Sequence, residues 1–114
     1  MSEGERREFQ RLEASYPFLY EQFNAEGRKV AAGLAQTLNI SASGLLLETD
    51  HLLEPGTSLI LQMSSPLFTL LAKGVVVHTR ALNDGRFLTG VMLTEVVEGR
   101  WDKLVGEVAS ASTM

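Results

Sequence analysis

Asn39, Ile40, Ser41, Ala42, Ser43 and Gly44 separate two apolar-rich runs, and Leu45, Leu46 and Leu47 follow at once. Asn and Ser side chains hydrogen-bond to nearby backbone and stabilise a turn, while glycine accepts a positive φ that a Cβ resists. The stretch therefore predicts a strand-to-strand turn. A small polar site that meets a ligand at a sheet edge fits the same residues, and the stretch alone does not choose between the two.

Outward from this break, period-two patterns recur on both sides. On the N-terminal side, residues 28–38 read as a strand with Val30, Ala32, Leu34 and Leu38 on one face. Before it, Tyr16, Phe18 and Tyr20 alternate with Pro17, Leu19 and Glu21, which predicts a strand over residues 14–23. Pro17 near its start marks an edge, because proline cannot donate to a ladder. Residues 24–27 then turn the chain, so the two strands form a hairpin.

On the C-terminal side, residues 45–48 predict a short strand, and residues 50–56, with Pro55 and Gly56, must turn. Leu59, Leu61 and Met63 alternate with Ser58, Ile60 and Gln62, giving a strand over residues 57–63 before a loop at 64–66. A longer β-branched run over residues 67–80 is interrupted by Gly74, which suggests a bulge or bend of the kind that helps a sheet close. Its inward face is left open. Asn83, Asp84 and Gly85 form a hairpin signal, and Phe87, Thr89, Val91 and Leu93 share a face of a last strand over residues 87–93.

The period then changes. Val97, Trp101, Leu104, Val105 and Val108 fall on one stripe of a helix expected over residues 98–109. That stripe is suited to plug an open side or end of the sheet, with Trp101 as its largest buried contribution. Six strands with hairpin turns, then one helix, predict a mainly β fold: a six-stranded antiparallel β-barrel with a C-terminal α-helix.

The chain as a whole fits one domain. Its 114 residues are enough for one core, and a composition with 45% hydrophobic and 21% charged residues is that of a folded protein. The expected division is an N-terminal arm over residues 1–13, a barrel with its helix over 14–109, and a frayed tail over 110–114. No apolar run is long enough to span a bilayer and the charged N-terminus lacks a signal-peptide core, so the cytosol is the expected compartment and no membrane partner is expected. The absence of cysteine excludes disulfides and thiolate metal ligands. A formal charge of −4 argues against a nucleic-acid coat, and a single-strand nucleic-acid barrel should also carry more aromatics than the 7% here.

Charge is nevertheless uneven. Arg6, Arg7 and Arg11 fall within six residues, close enough for a small anion to feel them together at a screening length of about 8 Å. Ser2 and Glu5 have the spacing of a capping box, so residues 1–13 read either as a short solvated helix or as an arm that is loose until something binds it.

Catalytic patterns are missing. His51 sits near Glu48, Asp50 and Glu54 but without recognisable metal-ligand spacing, and reads as a solvated turn residue. No motif holds a serine as a strained nucleophile. An enzyme is not expected, and neither a metal nor a cofactor.

Read together, the two polar islands resemble the PilZ family of cyclic di-GMP receptors. Its signature is RxxxR in an N-terminal arm and (D/N)xSxxG after the second strand. Arg7 and Arg11 match the first motif, and Asn39, Ser41 and Gly44 match the second. Residues 45–47, 75–77 and 89–93 also look like the family's pattern. The resemblance implies a bacterial, cytoplasmic cyclic di-GMP receptor or adaptor with a PilZ-type barrel. It implies that Arg7 and Arg11 fork onto phosphate or guanine, that Asn39 and Ser41 hydrogen-bond the ligand, and that Gly44 allows close backbone approach. Arg6, just before RxxxR, is the position that goes with an intercalated ligand dimer. The family layout also puts a rim position near His78, whose strand setting equally suits a structural role. Output would pass through a downstream protein; the alternative is a PilZ-like adaptor that binds no nucleotide.

Overall fold

The computed structural model describes residues 12–64 and 69–112. Arg6, Arg7 and Arg11, the Ser2 and Glu5 cap, and most of the loop expected at 64–66 lie outside the described residues. The order of elements is β1 (Leu12–Glu13), β2 (Pro17–Phe23), β3 (Lys29–Ile40), β4 (Gly44–Thr49), β5 (Ser58–Ser64), β6 (Thr69–Ala81), β7 (Phe87–Glu98) and α1 (Trp101–Ser112). The sheet runs β1-β3-β2-β5-β6-β7-β4, and β4 also pairs with β3. Six antiparallel strands, β2 to β7, thus close into the expected barrel, capped by the C-terminal helix. The two-residue β1, which the sequence did not suggest, lies against the end of β3.

On several strands one of the alternating faces read from the sequence forms the inner wall. Phe18 and Tyr20 of β2 are buried, as are Leu59, Leu61 and Met63 of β5. Thr89 and Val91 of β7 also face inward. On β6 the inward residues are Leu70, Ala72 and Val76, and the ladder to β7 shifts register at Gly74, where the sequence suggested a bulge, and at two further places.

β3 differs from expectation. The face carrying Val30, Ala32, Leu34 and Leu38 points outward, with Leu34 60% exposed, while Ala35 and Thr37 are buried. The reason is the Tyr20 ring: it fills the barrel over Gly33, where any Cβ would strike the phenol, so small residues must face in. An irregularity between Thr37 and Asn39 then reverses parity and turns Ile40 inward.

β7 also runs past its expected end. β6 continues to pair with it as far as Glu98, so Val97 lies on the strand and is exposed rather than on the helical stripe. Gly99, at φ +90°, then breaks the strand, and a Cβ there would strike the Thr69 carbonyl. The helix starts at Trp101, and Trp101, Leu104 and Val108 are buried as that stripe requires.

Gly44 plays a different role from the one its sequence position suggests. Its φ is not positive; a Cβ at this residue would run into the Val91 carbonyl oxygen, because β4 and β7 approach closely there. His51 is likewise more than a solvated turn residue. Its Nδ1 lies 3.0 Å from the Tyr20 hydroxyl and 3.0 Å from Asp50 Oδ1, although the imidazole remains largely exposed.

Two expectations follow. Gly44→Ala should lower stability by about 1–3 kcal/mol through this backbone collision, whereas Gly106→Ala, on the open face of α1, should raise it by about 0.5–1 kcal/mol; urea unfolding of both variants measures the contrast. Burial, reinforced by the nearby Asp50 carboxylate, raises the Tyr20 pKa above its ordinary value of 10.0. The folded state therefore keeps the phenol proton where the unfolded chain releases it, so stability should fall as pH rises past about 10. Tyr20→Phe should flatten this alkaline decline in unfolding midpoints measured between about pH 8 and about pH 11.

Candidate functional site

Because β3 extends to Ile40 and β4 begins at Gly44, the turn itself is only Ser41, Ala42 and Ser43. Asn39 belongs to β3, opposite Glu13 of β1 and Leu46 of β4. Three hydrogen bonds to or from its backbone fix the turn. The Ser41 N–H donates to the Gly44 carbonyl at 2.9 Å, the Leu93 N–H donates to the Ser43 carbonyl at 2.9 Å, and the Trp101 indole N–H donates to the Ser41 carbonyl at 2.7 Å. The turn is thereby tied to β4, β7 and α1 at once.

The Ser41 hydroxyl is held far less firmly. Its contacts with the Gly44 carbonyl and the Ser43 N–H are both 3.4 Å, at the long end for hydrogen bonds. A fixed backbone with a weakly engaged hydroxyl is suited to meet an incoming polar group.

Asn39, Ser41 and Gly44 come together, as the sequence motif requires, around a shallow depression of about 130 Å³ whose far side is Val77, His78, Gly90 and Met92. The floor is shaped by two features. The register shift between Val76 and His78 breaks the alternation of β6, so that Val77 and His78 are both exposed. Gly90 provides room for the His78 imidazole, which a Cβ at that position would strike. The strand alternation around Val77 conceals this arrangement in the sequence, although a glycine inside a strand pattern is a signal of close approach.

A depression of this size is below the roughly 300–1,000 Å³ of pockets that enclose small molecules. It suits one flat ring lying against the barrel wall rather than a whole ligand engulfed by it. Additional contacts would have to come from another segment of chain.

The path of the N-terminal chain leads to this place. Leu12 pairs with Ile40 and Glu13 with Asn39. Thr37, fully buried, fastens the next stretch: its hydroxyl donates to the Ala14 carbonyl at 2.6 Å and accepts from the Tyr16 N–H at 2.7 Å, and its own N–H donates to the Tyr16 carbonyl at 2.9 Å. Ala14 N–H donates to the Leu38 carbonyl at 3.2 Å. The first described residue is thus held beside the end of β3, one residue before the turn. The arginines expected in the site precede it in the sequence and lie outside the described residues.

Among the described residues, no group of three His, Asp or Glu side chains could hold a metal ion, and no helix is long and apolar enough to cross a membrane.

Comparison with known proteins agrees with this architecture. The chain is similar in structure to the Bacillus subtilis inhibitor of motility MotI/DgrA, with TM-score 0.55 and 16% identity over 92% of this chain. It covers 49% of that protein, about half its length. It is also similar to the PilZ domain of Escherichia coli YcgR, whose structure was solved with c-di-GMP, with TM-score 0.51 and 13% identity over 82% of this chain and 79% of the other. At such identities the likeness concerns the fold. No curated protein matches the chain at the level of sequence. The PilZ domain profile, however, matches residues 5–109, a span that takes in both motifs, the closed barrel and most of the capping helix, and the chain accordingly belongs to the PilZ domain family.

Proposed function

We propose that this protein is a cyclic di-GMP receptor and adaptor, in which ligand bridges the N-terminal arginines and the Asn39, Ser41 and Gly44 surface. The family is one of cyclic di-GMP receptors and adaptors, and a bound ligand of that kind is present in the similar YcgR domain. The observation that carries the reading for this chain is the pairing of Leu12 with Ile40. Arg11 immediately precedes Leu12 in the sequence, and Leu12 is the residue seated opposite the end of β3.

The chemistry suits both sides. An arginine fork pairs bidentately with phosphate or with guanine O6 and N7, and its face stacks on a purine. Asn39 offers an amide and Ser41 a hydroxyl on the barrel wall, and the shallow depression beside His78 accepts one base edge or face. With Arg6 next to Arg7, two stacked ligand molecules per chain are the expected stoichiometry.

The mechanism is ordering of the arm. Fixing backbone costs about 1–2 kcal/mol per residue, and charge-assisted hydrogen bonds of about 1.5–3 kcal/mol each offset that only while ligand is present. The clamped arm alters the surface around the turn, and a downstream protein reads the change.

A second reading, an adaptor that binds no nucleotide, is favoured by one observation. Leu19 and Leu34 are opposite each other on β2 and β3 and are 55% and 60% exposed, with Val30 and Leu38 on the same outer face. Such apolar exposure is a property of protein-contact surfaces.

Calorimetric titration separates the readings. Wild-type protein should give heat with cyclic di-GMP and none with GTP, while Arg7→Ala or Arg11→Ala should each weaken binding by about 1–3 kcal/mol with the barrel still folded. Ser41→Ala should lose less, about 0.5–1.5 kcal/mol, as a single hydrogen bond. Folded wild-type protein that gives no heat would overturn the receptor reading and favour the adaptor.

A further inference from the structure

Three chain segments that are distant in sequence meet at the turn. The start of the described chain reaches it through Leu12 opposite Ile40, the turn begins at Ser41, and the N-terminal residue of α1, Trp101, donates its indole N–H to the Ser41 carbonyl at 2.7 Å. α1 also packs against β1. Trp101 is 6% exposed, so its polar edge is spent on this one bond while its ring belongs to the core.

We infer that Trp101 is a positioning residue that holds the Asn39 and Ser41 surface in its binding geometry and transmits occupancy of that surface to helix α1. The inference rests on the ligand reading above and extends it to the route of output.

The bonding pattern gives the reason. The Ser41 peptide groups are anchored from two sides, by Gly44 through its N–H and by Trp101 through its carbonyl, whereas its hydroxyl is only loosely engaged. Without the indole donor the carbonyl would lose its tether to α1, and the hydroxyl would no longer be held toward the depression. Conversely, a ligand that draws on Ser41 pulls on the same peptide that holds the start of α1.

The helix is coupled to the turn at its first residue. Its entrance is fixed at Gly99, whose positive φ and close approach to Thr69 set the corner. Between the turn and the helix start lies an open groove of about 600 Å³, walled by Ala42 and Ser43 on one side and Arg100, Asp102 and Val105 on the other. Trp101 lines that groove from its buried end, where its indole N–H bonds the turn. The Trp101 bond joins the turn directly to the helix, whereas the Ser43 carbonyl is held by Leu93 of β7.

The test uses the fact that Trp101 is the sole tryptophan of the protein. In the ligand-free state, Trp101→Phe should shift the backbone amide resonances of Ser41, Ser43, Gly44 and Leu93 while leaving those of Leu59 and Leu61 on the β5 wall in place. With cyclic di-GMP, wild-type Trp101 emission should shift and its quenching by iodide should change. Calorimetry should show Trp101→Phe binding about ten-fold more weakly. Leu104→Ala, which weakens the same helical stripe without touching the bond, should lower the melting temperature but keep wild-type affinity.

Unmoved turn resonances in the ligand-free variant would overturn the inference whatever the ligand does. So would tight binding by wild type with unchanged Trp101 emission and no loss of affinity in Trp101→Phe. Turn resonances that shift in a protein that gives no heat with cyclic di-GMP would support the positioning role and overturn the ligand reading and the proposed route of output with it.

Discussion

The closure of the barrel through β4 is the constraint on which the rest depends. This is the shortest of the six wall strands, yet it hydrogen-bonds to β3 on one side and β7 on the other. Without it the sheet would have two long open edges and Thr49, Leu45 and Leu47 would lose their enclosure. The strand fits because Gly44 carries no Cβ where the Val91 carbonyl closes in. The candidate site is built at the same point, since the turn that starts β4 presents Ser41, and the bulged β6 and the small Gly90 of β7 supply the opposite side.

The buried threonines Thr37, Thr49 and Thr89 and the Tyr20 hydroxyl have partners that also fix the ends of the barrel. Thr49 and Thr89 are buried on adjacent strands with their hydroxyls 3.0 Å apart, and Thr49 also donates to the His51 carbonyl at 2.9 Å. Thr37 satisfies two backbone groups of the incoming chain, and Tyr20 reaches out of the core to His51. A buried hydroxyl left unpaired is costly, so these residues position the segments they bond as well as filling space. At the Thr37 end, the effect is to deliver the N-terminal chain to the turn. At the Tyr20 end, it ties down the loop after β4.

The site is therefore a place where segments converge on an outer wall, in contrast to an enclosed pocket. A shallow depression cannot surround a ligand, so on the proposed reading a receptor built this way would require the arginine arm and its binding would be coupled to ordering. In the proposed mechanism ordering would in turn provide a signal without catalysis: free energy gained from charge-assisted bonds would be spent on fixing chain, and the resulting surface would differ from the empty one. The proposed role of Trp101 would extend this logic from the turn to the helix.

The sequence by itself determined the order and approximate limits of the strands, the barrel class and the two polar motifs, because side-chain alternation and short turn residues are local properties. Phe18 with Tyr20, and Leu59 with Leu61 and Met63, could be grouped onto shared faces on that basis, and the fold turns those faces inward. Family membership, too, was legible in the paired motifs before the fold was known. The sequence did not reveal that Leu34 and Val30 face outward, since the reason lies on another strand, in the bulk of Tyr20 over Gly33. It did not show that Gly44 is needed for contact with Val91 or that Val77 and His78 both emerge beside Asn39, because strand register and bulges are settled only between chains of the sheet. Trp101 read correctly as core, but its bond to Ser41, sixty residues away, exists only because the closed barrel brings the end of β3 and the start of α1 to the same point.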